Sequence, residues 1–174
     1  MNYLLISGSL YRENDRQPLA RIKNEFFTQD RSITLTGSSD AMRTCIRQKD
    51  GSESQDVRSR TYLFSDAAGN VLMSAQPCYA EGEDPKTHGW PVMRMPKADH
   101  AEVTIGNESF LLRMESSELY VLEEENGRQP VKISHRGIAG GWDISASESM
   151  HVEYLCALFV FCRYLEEENE FSIV

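Results

Sequence analysis

Three cations close to a run of glycines, Lys132, His135 and Arg136 ahead of Gly137, Gly140 and Gly141, form the group best placed to do chemistry. Backbone amides of a glycine-rich loop approach a phosphate closely, and flanking cations add charge. The chemistry implied is capture of a phosphate or an anionic head group. The competing reading is a plain turn between two strands with solvated charges beside it. Arg58 and Arg60 form a second candidate ligand edge, alternating on one face of a strand that leads into Tyr62. Charges on an edge strand also serve simply to discourage aggregation. Trp90 lies between Gly89 and Pro91 in a polar stretch with no obvious core to enter. Exposed aromatic anchors are enriched at partner surfaces, so Trp90 is a candidate partner contact; the alternative is that the stretch folds back and covers it.

Other chemistries find few residues. His88, His100, His135 and His151 are dispersed, with no CxxC, HxxxH or HExxH spacing, so no metal site is expected. There is no GxSxG elbow, no phosphate loop and no cysteine in a reactive context. The glutamates at 123–125 and 166–168 read as solvated faces, because acid–base work needs two carboxylates in contrasting environments. His151 reads as a hydrogen-bonded histidine in the first turns of a buried helix. No catalytic residue and no cofactor is expected.

The composition narrows the partners. With 18 Lys and Arg against 27 Asp and Glu, the formal charge of −9 repels polyanions and argues against nucleic acid. A chain of 174 residues is expected to form a single domain, 1–174, removing roughly 70% of its unfolded surface from water. The opening MNYLLISGSLYREND lacks the parts of a signal peptide, which predicts a cytoplasmic protein. Cys45, Cys78, Cys156 and Cys162 are read as reduced, the last two filling core space and projecting in different directions, about 600° apart around a helix.

The element that must organise these residues is the run at 150–165, MHVEYLCALFVFCRYL, apolar on every side of a helix. Such a helix has to be enclosed. Lipid is excluded as the enclosure, because a span needs roughly 20 apolar residues and this run is interrupted by Glu153 and Arg163. Ser145 and Glu148 fit a capping box, which predicts a helix start near Ala146. The glutamates at 166–170 lie where the helix dipole prefers cations, and are expected to be solvated.

Ahead of the helix the chain reads as strands and turns. Asn126-Gly127 marks a two-residue hairpin turn, 66–70 a second turn, and Gly106-Asn107 a third. A hairpin over 3–22 turns near Asn14-Asp15, with a short helix over 19–27 as the alternative for its second half. Further strands are expected at 32–36, 42–48, 101–105 and 109–114, and a short edge strand at 92–95 inside an exposed excursion over 82–99. Trp142 is expected to cover the helix entrance. Roughly ten strands at this spacing predict a mainly β (α+β) fold, an antiparallel β-barrel or strongly curved sheet wrapped around a C-terminal hydrophobic helix.

The hairpins at 63–75 and 119–134, the strand at 140–145 and the helix at 150–165 together resemble the tubby C-terminal-like superfamily, which includes tubby domains, scramblases and LURP-one-related proteins. The resemblance implies a barrel of about twelve strands threaded by a hydrophobic helix. It also implies, for the tubby branch, phosphoinositide binding at a basic patch; the LURP-one-related branch implies no activity, and no scramblase-type calcium segment occurs here. The leading functional expectation is a non-enzymatic binding or scaffolding protein whose ligand is unknown, its partner an unknown protein or anionic lipid. The second is peripheral binding of anionic lipid or a phosphorylated small molecule at Lys132, His135 and Arg136. An enzyme ranks third, because a barrel filled by a helix leaves little room for substrate.

Overall fold

The computed structural model describes residues 1–26, 28–49, 56–91 and 93–170. Twelve antiparallel strands close into a barrel in which each strand pairs with its sequence neighbours and the last with the first. They are β1 (Asn2–Ile6), β2 (Ser9–Arg12), β3 (Pro18–Asn24), β4 (Arg31–Leu35), β5 (Ala41–Gln48), β6 (Arg60–Ser65), β7 (Val71–Tyr79), β8 (Ala98–Ile105), β9 (Glu108–Ser116), β10 (Leu119–Glu124), β11 (Val131–His135) and β12 (Trp142–Ala146). A short helix α1 (Pro85–His88) sits in the β7–β8 connection, and α2 (Val152–Glu167) follows β12. Full closure leaves no unpaired strand edge.

Alternating burial in β7 and β11 sends one face of each strand inward, as period-2 patterning requires. The enclosed element is α2. Leu155, Cys156, Ala157, Leu158, Val160, Phe161, Cys162, Tyr164 and Leu165 are all buried, and these positions cover every side of the helix. Small residues make room for it: Ala20 on β3 and Ala98 and Ala101 on β8 are fully buried, and β8, β3 and β4 are among the strands α2 meets. Register shifts at Leu10/Tyr11, Phe64/Ser65, Cys78/Tyr79 and Leu119/Tyr120 add the local bends a closed sheet needs.

The two ends differ. Odd-numbered strands run toward the rim where α2 ends, the exit rim, so the β1–β2, β3–β4, β5–β6, β7–β8, β9–β10 and β11–β12 connections all lie there. The entry rim carries residue 1, the remaining turns and the start of α2. One of those turns, residues 66–70, is held by Asp66, whose carboxylate accepts from Ala68 N, Asn70 N and Asn70 Nδ2. The Asn70 bonds hold its carboxyl below the ordinary range.

Several expectations need correction. The single strand read over 3–12 is two strands, because Ser7 (φ 49°) and Gly8 (φ 75°) make a tight turn with both residues at positive φ. Residues 18–24 are strand, so the helical alternative there fails. The Asn126-Gly127 segment is a wider loop: Pro130 cannot donate to the ladder, and β11 starts only at Val131. Residues 93–95 are not strand, and Val92 lies outside the described residues. The capping box does not cap. β12 runs through Ala146, Ser145 Oγ donates to Asn2 Oδ1 at 3.1 Å, and α2 begins at Val152 after an exposed His151. Trp142 packs on Phe159, in the middle of α2, at 5.5 Å between ring centroids, away from the entrance.

Candidate functional site

Among the described residues, the polar groups of the interior are engaged with one another and with the backbone. Tyr164 Oη donates to the Gln29 carbonyl at 2.8 Å and lies 3.1 Å from Thr44 Oγ1. Tyr120 Oη donates to Glu166 at 3.2 Å. Burial pushes the Cys156 thiol up to about 12 and raises Cys162 as well, so neither presents a thiolate near neutral pH. All four cysteines are free. Among the described residues, no group of three or more His, Cys, Asp or Glu is placed to hold a metal ion.

The glutamates at the end of α2 are not all solvated. Glu168 is only 6% exposed. Its carboxylate accepts from the Tyr62 hydroxyl at 3.0 Å and pairs with the Arg60 guanidinium. Beside it Asn169 is stitched to β8: Nδ2 donates to the Ala98 carbonyl and Oδ1 accepts from Ala98 N, at 2.8 and 2.9 Å. Arg31 lies 3.8 Å from Glu167, whose carboxyl is raised chiefly by burial. The C-terminus of α2 is therefore latched into the exit rim.

That latch removes Arg60 from the candidate ligand edge. Arg58 is also committed, and it is not on the strand. It lies in a single 3-10 turn, 57–59, capped by Asp56. Its guanidinium meets Asp56 at 3.0 Å and Asp84 at 2.8 Å and lies 5.2 Å from the Tyr79 ring centroid. Burial opposes ionisation of Asp56, yet the Arg58 hydrogen bonds outweigh it and hold the carboxyl below its usual range. The arginine clips the β5–β6 connection to the β7–β8 connection.

The Lys132, His135 and Arg136 group divides between two faces. Lys132 and Arg136 line one outer groove of about 630 Å³ with Ser134 and Ser145. Among the described residues Lys132 carries no ion pair, whereas Arg136 Nε lies 3.4 Å from Asp143. Glu13 and Asp143 also line the groove, so its two cations face two carboxylates. His135 turns the other way and packs on the Trp142 edge at 5.0 Å. Its Nδ1 accepts from Gly137 N at 3.1 Å, which puts the neutral ring's proton on Nε2.

Trp90 stands beyond α1, 43% exposed. The β7–β8 excursion around it is tied down by the Arg94–Glu83 pair at 2.5 Å and by Ala80 N donating to the Lys97 carbonyl. Trp90 has company that sequence reasoning missed: Ile6, Phe26, Met93 and Ile138 are also exposed, and all five belong to the exit rim. At the entry rim, by contrast, the exposed large apolar side chains among the described residues are Met1 and Val71. The exit-rim connections and the helix end, over the described residues at 25–30, 49, 56–59, 80–91, 93–97, 117–118, 136–141 and 166–170, hold eleven carboxylates against six lysines and arginines. The candidate site is thus an acidic rim studded with apolar side chains. Its signal in sequence is faint: Ile138 is a lone apolar residue in RGIAGG, and only the topology brings it to the same end as Trp90 and Met93.

No helix among the described residues is long and apolar enough to cross a membrane. The chain matches no protein-family model, no curated protein and no solved structure.

Proposed function

We propose that this chain is a non-enzymatic binding or scaffolding protein that docks a protein partner on its exit rim. The observation carrying this reading is the segregation of exposed Ile6, Phe26, Trp90, Met93 and Ile138 to one end of a barrel whose interior is filled by α2. Exposed apolar side chains cost solubility when gathered, and gathered ones mark interaction surfaces. With the lumen occupied, recognition falls to the outside. The resemblance to the tubby-like superfamily is part of the proposal, supported by twelve-strand closure around a C-terminal helix.

The test is photo-cross-linking in cells from a benzophenone amino acid at position 93, with position 71 at the opposite end as control. Discrete adducts from 93 and none from 71 are expected. Equal adducts from both, or none from 93, contradict the reading. A second reading, anionic head-group binding, is favoured by one observation, the shared groove of Lys132 and Arg136. It predicts flotation with phosphoinositide vesicles that weakens with salt and is lost in Lys132→Ala/Arg136→Ala. The balancing Glu13 and Asp143 in that groove place it second.

A further inference from the structure

The exit rim carries one apolar residue whose presentation is built rather than incidental. Ile138 sits fully exposed at the middle of a 3-10 turn, residues 137–139, between strands β11 and β12. Gly137, Gly140 and Gly141 bracket it at φ 60°, 69° and 84°, conformations that side chains disfavour. Gly140 N donates to the Gly137 carbonyl and Arg136 N to the Gly141 carbonyl, both at 3.0 Å, while Gly137 N is held by His135. At Gly141 the turn presses on β1: a Cβ there would meet the Leu5 carbonyl oxygen at 2.6 Å and Ile6 Cγ1 at 3.0 Å. The turn is therefore clamped to the barrel, with the half-exposed Ile6 beside it. A preorganised apolar tip loses little conformational freedom on binding, which is what an anchor requires.

The charges around the tip say what covers it. Glu118, in the β9–β10 turn next to it, is 72% exposed, and Asp143, at the start of β12, is 60% exposed. The nearest arginine, Arg136, already pairs with Asp143, and the neutral His135 ring, whose Nδ1 accepts from Gly137 N, lies 4.0 Å from Glu118. The described rim residues hold eleven carboxylates against six lysines and arginines, and the chain carries a formal charge of −9. A second copy of this chain and an anionic membrane are both repelled by that field. A basic partner is attracted to it. We propose that the 137–141 turn is a preformed docking finger on which Ile138, with Ile6, anchors a partner protein segment that pairs apolar residues with lysines or arginines, as a basic amphipathic helix does.

This inference rests on the rim-docking reading and narrows it to one of the rim's six connections. The test titrates the full-length protein with a fluorescent leucine/lysine amphipathic helical peptide, using a leucine/glutamate peptide and anionic vesicles as comparison probes. The variants are Ile138→Ser, Trp90→Ala, and Glu118→Gln/Asp143→Asn. We expect saturable 1:1 binding of the leucine/lysine peptide. Ile138→Ser should weaken it roughly tenfold or more, the loss of one buried aliphatic contact, with an unchanged thermal midpoint. Glu118→Gln/Asp143→Asn should weaken it and flatten its salt dependence. Binding retained in Ile138→Ser but lost in Trp90→Ala overturns the finger and leaves rim docking standing at the β7–β8 excursion. Equal binding of the leucine/glutamate peptide, or of anionic vesicles, overturns the charge argument. No binding of the leucine/lysine peptide overturns the proposed partner class, while adducts from position 93 in cells would still support docking at the rim.

Discussion

Replacing Glu168 by alanine tests whether the end of α2 is latched. Its side chain is 2% exposed and serves two partners, the Tyr62 hydroxyl at 3.0 Å and the Arg60 guanidinium. Removing the carboxylate strands a hydroxyl on a fully buried tyrosine, which costs about 1–3 kcal/mol. The ion-pair share is smaller. Arg60 keeps a quarter of its side chain in solvent and recovers hydration, so the lost pair weighs nearer the ~1 kcal/mol of exposed pairs than the 3–5 kcal/mol of buried ones. Together these give about 2–4 kcal/mol, roughly 4–16 °C in thermal midpoint for a chain of this size. Glu168→Gln keeps an acceptor for Tyr62 and should lose less than half as much. Urea unfolding followed by circular dichroism at neutral pH measures both variants. A loss below about 0.5 kcal/mol in Glu168→Ala, the value of an ordinary surface change, refutes the latch.

Four further outcomes follow from the structure. In native protein a thiol reagent should modify half-exposed Cys45 and Cys78 well before buried Cys156 and Cys162, whose labelling should track global unfolding. The Cys156 thiol is raised by burial to about 12 from 9.0, so its contribution to stability is complete below about pH 9 and is lost as pH rises from there toward 12. The alkaline slope is about 1.4 kcal/mol per pH unit per buried thiol and should be shallower in Cys156→Ala. Gly141→Ala forces a Cβ against the Leu5 carbonyl at positive φ and should cost more than about 1 kcal/mol, whereas Gly137→Ala, with open space at its Cβ, should cost less; chemical denaturation compares them. Glu167, raised by burial above its unfolded value, gives up stability as pH rises through its folded pKa, so Glu167→Gln should raise the thermal midpoint at neutral pH relative to pH 4.

Much of the barrel could be read from local chemistry. Gly106-Asn107 and the 66–70 turn were legible because their residues favour the backbone they adopt, and 150–165 because only enclosure explains an all-round apolar helix. The misses were settled elsewhere. Ser7-Gly8 is itself a turn dipeptide, passed over because the apolar residues on both sides read as one strand, and β1 pairing with β2 shows the turn. Ser145 and Glu148 looked like a cap, yet β12 claims Ser145 for pairing with Asn2. Glu168 looked solvated because nothing in the chain places it beside Arg60 and Tyr62, more than a hundred residues earlier. The site was the least legible part. Lys132 and Arg136 do share a face two pleats apart, but His135 falls on the other by the same period of two. The apolar rim exists only once β1, β3, β7 and β11 are known to run the same way.

The account stands on α2 being the core that the barrel closes around. The decisive measurement is a thermal melt, with hydrophobic dye binding, of the chain ended after Ser149. The account predicts no cooperative transition and strong dye binding at low temperature. A soluble truncated barrel that melts cooperatively and binds no dye would contradict it, and would reopen the interior as a place for a ligand.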